Sequence, residues 1–150
     1  MQLTNTRIEI GCRPCQLWKT SRTVMCSGDG PRDASIVLLG EALGAEEEAV
    51  GRPFVGRAGQ LLNRCLNEAG LLRSDCFATN SARCRPLNAL GYNRAPTHKE
   101  LGFCNGFLQD ELDGLAAKRV IVAMEASATH ALLGADAPTG GVMENQGKVV

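Results

Sequence analysis

Two sets of side chains in this sequence could do chemistry. One is acidic. Glu41, Glu46, Glu47 and Glu48 crowd into GEALGAEEEAVG, directly after the apolar run Ile36-Val37-Leu38-Leu39. Carboxylates held at one place can stabilise a developing cation or position a water. The other set is sulfur. The chain has seven cysteines, two of them in Cys12-Arg13-Pro14-Cys15. A CxxC pair can share one metal centre whose remaining ligands come from elsewhere, and a redox pair is its usual rival. A disulfide framework does not suit a reducing compartment, so metal ligation is the better use of this much sulfur.

These groups need a scaffold, and the pattern supplies one. Residues 36–40 read as a buried parallel strand. A polar loop of about 17 residues without periodicity follows, and loops of that length are more often functional than idle. A helix from about Ala58 to Ala69 puts Leu61, Leu62, Cys65, Leu66 and Ala69 on one face, with Gly70 as its stop, so Cys65 reads as a core thiol. Residues 76–80 form a second strand ending at Asn80. Thr97 and Glu100 fit a capping box for a helix carrying Leu101, Cys104, Leu108, Leu112 and Leu115 inward. Residues 119–124 make a third strand, Ser127–Leu133 a short helix, and Lys148-Val149-Val150 the start of a fourth strand. Strands alternating with helices predict an α/β fold: a three-layer αβα sandwich around a mostly parallel four-stranded sheet, its last strand incomplete. In such sheets ligands bind beyond the carboxyl ends of the strands, where the glutamate loop and Asn80 both fall. Cys26 and Cys76 have no partner spacing and receive no role.

With 150 residues, 44% hydrophobic and 21% charged, the chain reads as one domain with a real core. No apolar run reaches the roughly 20 residues that span a bilayer. MQLTNTRIEIGC lacks the apolar segment of a secretory leader, which makes a cytoplasmic monomer the default expectation. The formal net charge is zero, which argues against strong nonspecific nucleic-acid binding. Yet Arg52, Arg57, Arg64, Arg73, Arg83, Arg85, Arg94 and Lys99 face only Glu68 and Asp75 between Gly51 and Lys99. That segment could present a basic surface to phosphates or be an ordinary solvated face.

GEALGAEEEAVGRPFVGRAGQLL resembles the first motif of the family 4 uracil-DNA glycosylases, G-E-x-P-G-x-x-E-D followed by G-x-P-F-V-G-x-A-G-x-L-L. Leu43 stands where that family usually has proline, which leaves the loop less rigid. Thr79-Asn80-Ser81-Ala82-Arg83-Cys84-Arg85-Pro86 and Asn93-Arg94-Ala95-Pro96 are similar to the family's T-N-x-x-(K/R)-C-R-P and N-R-x-P. The connection 87–92 is slightly longer than usual. The resemblance implies hydrolysis of the N-glycosidic bond of uracil in DNA. Phe54 would stack on the flipped base, and the Asn80 amide would donate to uracil O4 while accepting from N3–H, a pattern cytosine reverses. Glu41 would organise the water side and Glu47 crowd the C5 position against thymine's methyl, or the two roles are exchanged. Gly40, Ala42 and Gly44 would let the backbone approach base and sugar; Glu46 and Glu48 read as solvated neighbours. Cys12, Cys15, Cys84 and Cys104, spaced C-x2-C-x68-C-x19-C, would hold a structural [4Fe-4S] cluster, with zinc as the alternative that spacing does not separate.

Two further departures, together with Leu43, shape the alternatives. The family's histidine-proline-serine element does not occur; His98 and His130 lie in the wrong places to replace it, and the resemblance implies a chain truncated at its C-terminus. Met124-Glu125 stands where the family usually has leucine-glycine. A second reading is therefore a catalytically silent uracil-DNA or single-strand DNA binding protein on the same scaffold. An iron–sulfur electron carrier is a third, disfavoured because nothing suggests a docking face for a redox partner.

Overall fold

The computed structural model describes residues 12–24 and 26–149; the reading of the first eleven residues lies outside them. Three parallel strands, β1 (Ile36–Gly40), β2 (Cys76–Asn80) and β3 (Val120–Ala123), pair in the order β2-β1-β3. Ile36 lies beside both Cys76 and Val120, and at the other end Gly40 lies beside Asn80. The central strand and β2 are almost wholly buried, as their unbroken apolar runs require; β3, on the edge, leaves Val120 and Val122 exposed. Among the described residues the sheet has three strands, not four: Lys148 and Val149 join no strand, and Val150 lies outside the described residues.

Helices cover both faces. Successive side chains of a strand point to opposite sides, so Val37, Leu39 and Phe77 face one way. They pack with Leu108 and Leu112 of α3 (His98–Asp113), and with Ala128 and Ala131 of α4 (Ala126–Leu133). Leu38, Cys76 and Ala78 face the other way, against Leu62 and Leu66 of α2 (Arg57–Glu68). This is the expected αβα sandwich. The capping box at the head of α3 forms in full: Glu100 N–H donates to the Thr97 hydroxyl and Thr97 N–H to the Glu100 carboxylate. A four-residue α5 (Val142–Asn145) follows α4. Among the described residues no helix is long and apolar enough to cross a membrane.

Three local readings change. The glutamate loop is not without regular structure, because Ala45–Val50 folds as a helix, α1. Cys65 is exposed rather than a core thiol. The buried line of α2 runs through Gly59 and Leu66, with Leu62 half-buried, which turns Leu61 and Cys65 to the rim. Glu48 is buried rather than solvated, accepting from Arg22 N–H at 2.9 Å and from Arg85 at 3.2 Å.

Candidate functional site: a cleft at the strand ends and a nearby group of thiols

Because β1 and β2 stop in register at Gly40 and Asn80, the loops that follow them leave from one place. They are tied together: Ser81 N–H and hydroxyl both donate to Gly40 C=O, and Ala82 N–H donates to Glu41 C=O. Beyond this junction opens a cleft of about 200 Å³, lined by Glu41, Ala42, Leu43, Gly44, Glu47, Phe54, Ala58, Asn80, Asn93, Arg94 and Glu125. Six of the residues given a role from the sequence, Glu41, Ala42, Gly44, Glu47, Phe54 and Asn80, are thus brought together. Gly40 does not line the cleft itself but lies behind Phe54 and Asn80. A Cβ added there would come 2.5 Å from Phe54 Cζ and 2.6 Å from Asn80 Oδ1, so only glycine lets these two side chains meet over the strand end.

Phe54 both lines the cleft and packs against the α2 face of the sheet. Its backbone sits at φ 57°, the left-handed region. For a side-chain-bearing residue this costs of order 1–3 kcal/mol and persists only where surroundings impose it. One such surrounding is Gly59, whose Cα lies so close to the Phe54 carbonyl that no side chain fits there. The glycine-rich stretch therefore buys a ring orientation that local preference opposes.

The acids are anchored separately. Glu47 Oε1 accepts from Gly56 N–H at 2.8 Å, and Glu41 Oε2 accepts from the Ser127 hydroxyl at 2.7 Å. Glu125 brings a third carboxylate to the cleft. Burial, followed by the charge of Glu41, raises its pKa above the ordinary glutamate value, and its buried Oε2 has no hydrogen-bond partner. Arg94 is held in a two-point pair with Glu100 at 2.6 and 2.8 Å. Asn93, Arg94, Glu125 and Ser127 were missed as site residues; the first two stand in the quoted N-R-x-P motif, Glu125 was marked only as a departure from the family pattern, and no local signal marks Ser127.

The thiols gather on the far side of the Arg94–Glu100 pair. Cys12 and Cys15 lie at a short 3-10 turn (Arg13–Cys15), Cys84 in the loop after β2, and Cys104 on α3; all four are buried. They adjoin one another. Cys15 and Cys104 interact, Cys12 feels both of these, and Cys104 also feels Cys84. Burial first, then this crowding, pushes the Cys12 and Cys104 thiols up to about 11. Leu17, Trp18, Val24 and Phe103 pack with Cys15 and Cys84. Among the described residues no three His, Cys, Asp or Glu side chains are arranged to hold a metal ion as they stand. The donor set still fits one: four soft sulfurs are buried together, the ligand type that a thiophilic metal centre takes.

The basic segment is mostly spent internally. Arg83 pairs with Glu111, Arg85 with Glu48, Arg94 with Glu100, and Arg52 and Arg73 with Asp29. Arg57, Arg64 and Lys99 are exposed.

Residues 27–150 match the family described as the uracil DNA glycosylase superfamily. The chain is similar to the type-4 uracil-DNA glycosylase of Thermotoga maritima, with 41% identity over 128 residues, 85% of this chain and 63% of that protein. It is 40% identical to the type-4 enzyme of Archaeoglobus fulgidus over 112 residues, 75% of this chain and 54% of the relative. A type-5 uracil-DNA glycosylase of Thermus thermophilus is 37% identical over 120 residues, 71% of this chain and 52% of that one. The chain thus spans about half to two-thirds of the length of the curated relatives it matches.

Proposed function

The chain belongs to the uracil DNA glycosylase superfamily, and on that premise we propose that it excises uracil from DNA by hydrolysing the N-glycosidic bond. The observation that carries this reading is the convergence of Phe54, Asn80, Glu41 and Glu47 on one cleft at the ends of β1 and β2. A base must leave the stack to be read on its Watson–Crick edge. Phe54 offers the stacking face. Asn80, at the strand end, offers a donor and an acceptor side by side, the complement of uracil O4 and N3–H. Glu41, held by Ser127, lies where a carboxylate can stabilise an oxocarbenium-like sugar or hold the attacking water. Glu47, fixed by Gly56 N–H, serves as a wall at C5. Gly40, Ala42 and Gly44 keep the backbone low enough for base and sugar to approach.

Cys12, Cys15, Cys84 and Cys104 would hold a [4Fe-4S] cluster in this reading, with zinc the competing occupant. When bound, such a group supplies a cross-link between the N-terminal turn, the loop after β2 and α3. The Arg94–Glu100 pair lies between these thiols and the cleft, so ordering one side orders the other.

Glu125 favours a second reading, the silent uracil-DNA or single-strand binder, since it adds a buried acid beside Glu41 where the departing uracil anion would develop charge. A uracil-containing oligonucleotide, incubated with the protein and treated with alkali, separates the two. Cleavage at the uracil position, absent with thymine, is the expected result. Selective binding without cleavage, restored to cleavage by Glu125→Gly, is the outcome of the second reading.

A further inference from the structure

The sequence holds two histidines, His98 and His130, and the fold brings their rings into contact. His98 Nδ1 lies 3.0 Å from His130 Nε2, with ring centroids 4.2 Å apart and ring planes at 66°. One of these nitrogens must donate and the other accept, so a single proton occupies the gap between two imidazoles. Both rings stand on firm backbone. His98 is the first residue of α3, next to Thr97 of the completed capping box. His130 lies on α4 between Ala128 and Ala131, which are buried in one cluster with Leu108 and Leu112 of α3. His98 is exposed and His130 half-buried, so the gap is open to ions from water.

We propose that His98 and His130 form a binding site for a divalent late transition-metal ion of the nickel–copper type, with water filling its remaining positions. The spacing carries this. Imidazole–metal bonds of about 2.0–2.1 Å meeting at a right angle place the two nitrogens about 2.9 Å apart, whereas a tetrahedral angle places them about 3.3 Å apart. The observed 3.0 Å fits the right angle, the edge of a square or octahedral ion. Nitrogen ligands also hold nickel and copper more tightly than the earlier divalent metals of the row. On binding, the proton in the gap is replaced by one on the far nitrogen of the same ring, so the neutral pair takes up the ion without net proton release. The site is separate from the thiols, because Cys104 is buried and lies about 9 Å further along α3 by helical rise. The ion would cross-link α3 to α4, the helix whose Ser127 holds Glu41. This inference does not depend on the uracil reading of the cleft.

With only two histidines in the chain, NMR of untagged protein carrying isotope label in histidine alone reads the site directly, the thiol centre being left as isolated. Titration with Ni²⁺ should broaden both imidazole signals together, at one ion per pair, and raise the thermal midpoint. His98→Gln keeps a hydrogen-bonding group and His130→Ala removes the ring, while both leave the thiols in place. In each variant the remaining histidine should bind Ni²⁺ more weakly by about 10-fold or more, the least that losing even an outer hydrogen-bond partner of a ligand costs, and the midpoint shift should fall. At about pH 5, where histidine takes a second proton, the parent should lose the broadening. Mg²⁺, which prefers oxygen ligands, should leave both rings unchanged. If Ni²⁺ broadens one ring alone, or binds the parent no more tightly than either variant, the pair is a hydrogen bond between two helices and the metal site is wrong.

Discussion

Arg83 and Glu111 form a two-point ion pair in the interior, Nη2 to Oε2 at 2.8 Å and Nη1 to Oε1 at 3.0 Å. The Thr79 hydroxyl and Gly28 N–H complete the carboxylate's shell at 2.6 and 2.8 Å. An arginine beside Asn80 and Cys84 is thereby turned away from any phosphate and used to fix the loop after β2. Removing one partner of a buried pair strands the other, at a typical cost of about 3–5 kcal/mol; Glu111→Ala should lose that much in urea unfolding. Burial by itself raises the Glu111 pKa, but Arg83, Thr79 and Gly28 together hold it below the ordinary glutamate value. A depressed acid contributes stability that is complete above its unfolded pKa, about 4.3, and lost as pH falls through the folded one. The parent should therefore lose its advantage over Glu111→Ala only in that acid range.

The strands and the long helix were legible because their signals are local: apolar runs at 36–39 and 76–78, and a capping box at Thr97. Where partners are distant the reading failed. Glu48 looks solvated until Arg85 and the backbone of Arg22 are brought to it, and Arg83 looks like a phosphate ligand until α3 supplies Glu111. Helix α1 carries no apolar stripe because its buried positions are glutamates, Glu47 and Glu48, satisfied by hydrogen bonds from outside the helix. On α2 the apolar stripe was visible, but which edge of a broad stripe meets the sheet is set by the close approach of Gly59 to Phe54, and that left Cys65 outside. The cleft residues named from motifs do meet; Glu125, a departure from the motif, could be placed there only by folding.

Gly40 is the cheapest position at which to close the cleft. Gly40→Ala needs no unusual backbone angle, yet its methyl would enter the space shared by the Phe54 ring and Asn80 Oδ1. The fold can adjust by moving Phe54. A displacement of about 1 Å in a positioning group can cost on the order of 100-fold in rate. Uracil excision should fall by about that factor, with circular dichroism unchanged.

Asn80→Ala and Phe54→Ala separate reading from stacking. Losing the paired base contact should cost about 1–3 kcal/mol of discrimination between uracil and cytosine. Losing the ring should cost about 1–3 kcal/mol of binding to either. Competition titrations with the two bases in one oligonucleotide context measure both. Variants that bind like the parent would put the pocket elsewhere.

Purified without oxygen, the protein should be brown, with the broad visible absorption of an iron–sulfur cluster and about four irons per chain. Cys84→Ala should bleach it and lower its thermal midpoint. Loss of the cross-link should also loosen the Arg94–Glu100 pair and hence weaken uracil binding. A colourless protein carrying one zinc would assign the four thiols to zinc instead.

Glu125 gives a prediction whose sign is opposite to that for Glu111. Its carboxyl is raised above the ordinary glutamate value by burial and then by Glu41; Glu47 and Arg94 are the other charged groups lining the same cleft. An acid with a raised folded pKa keeps its proton in the folded chain over a range where the unfolded chain has released it. Folding then binds protons, so the stability due to this group falls as pH rises from about 4.3 through the folded value, and is constant beyond it. Glu125→Gln keeps the shape and cannot ionise. Urea unfolding of the two proteins at a series of pH values should show the parent losing ground to the variant across that window and no further change above it. A difference independent of pH would mean that Glu125 ionises as freely in the folded chain as in water, and that its unpartnered oxygen finds a partner in solution.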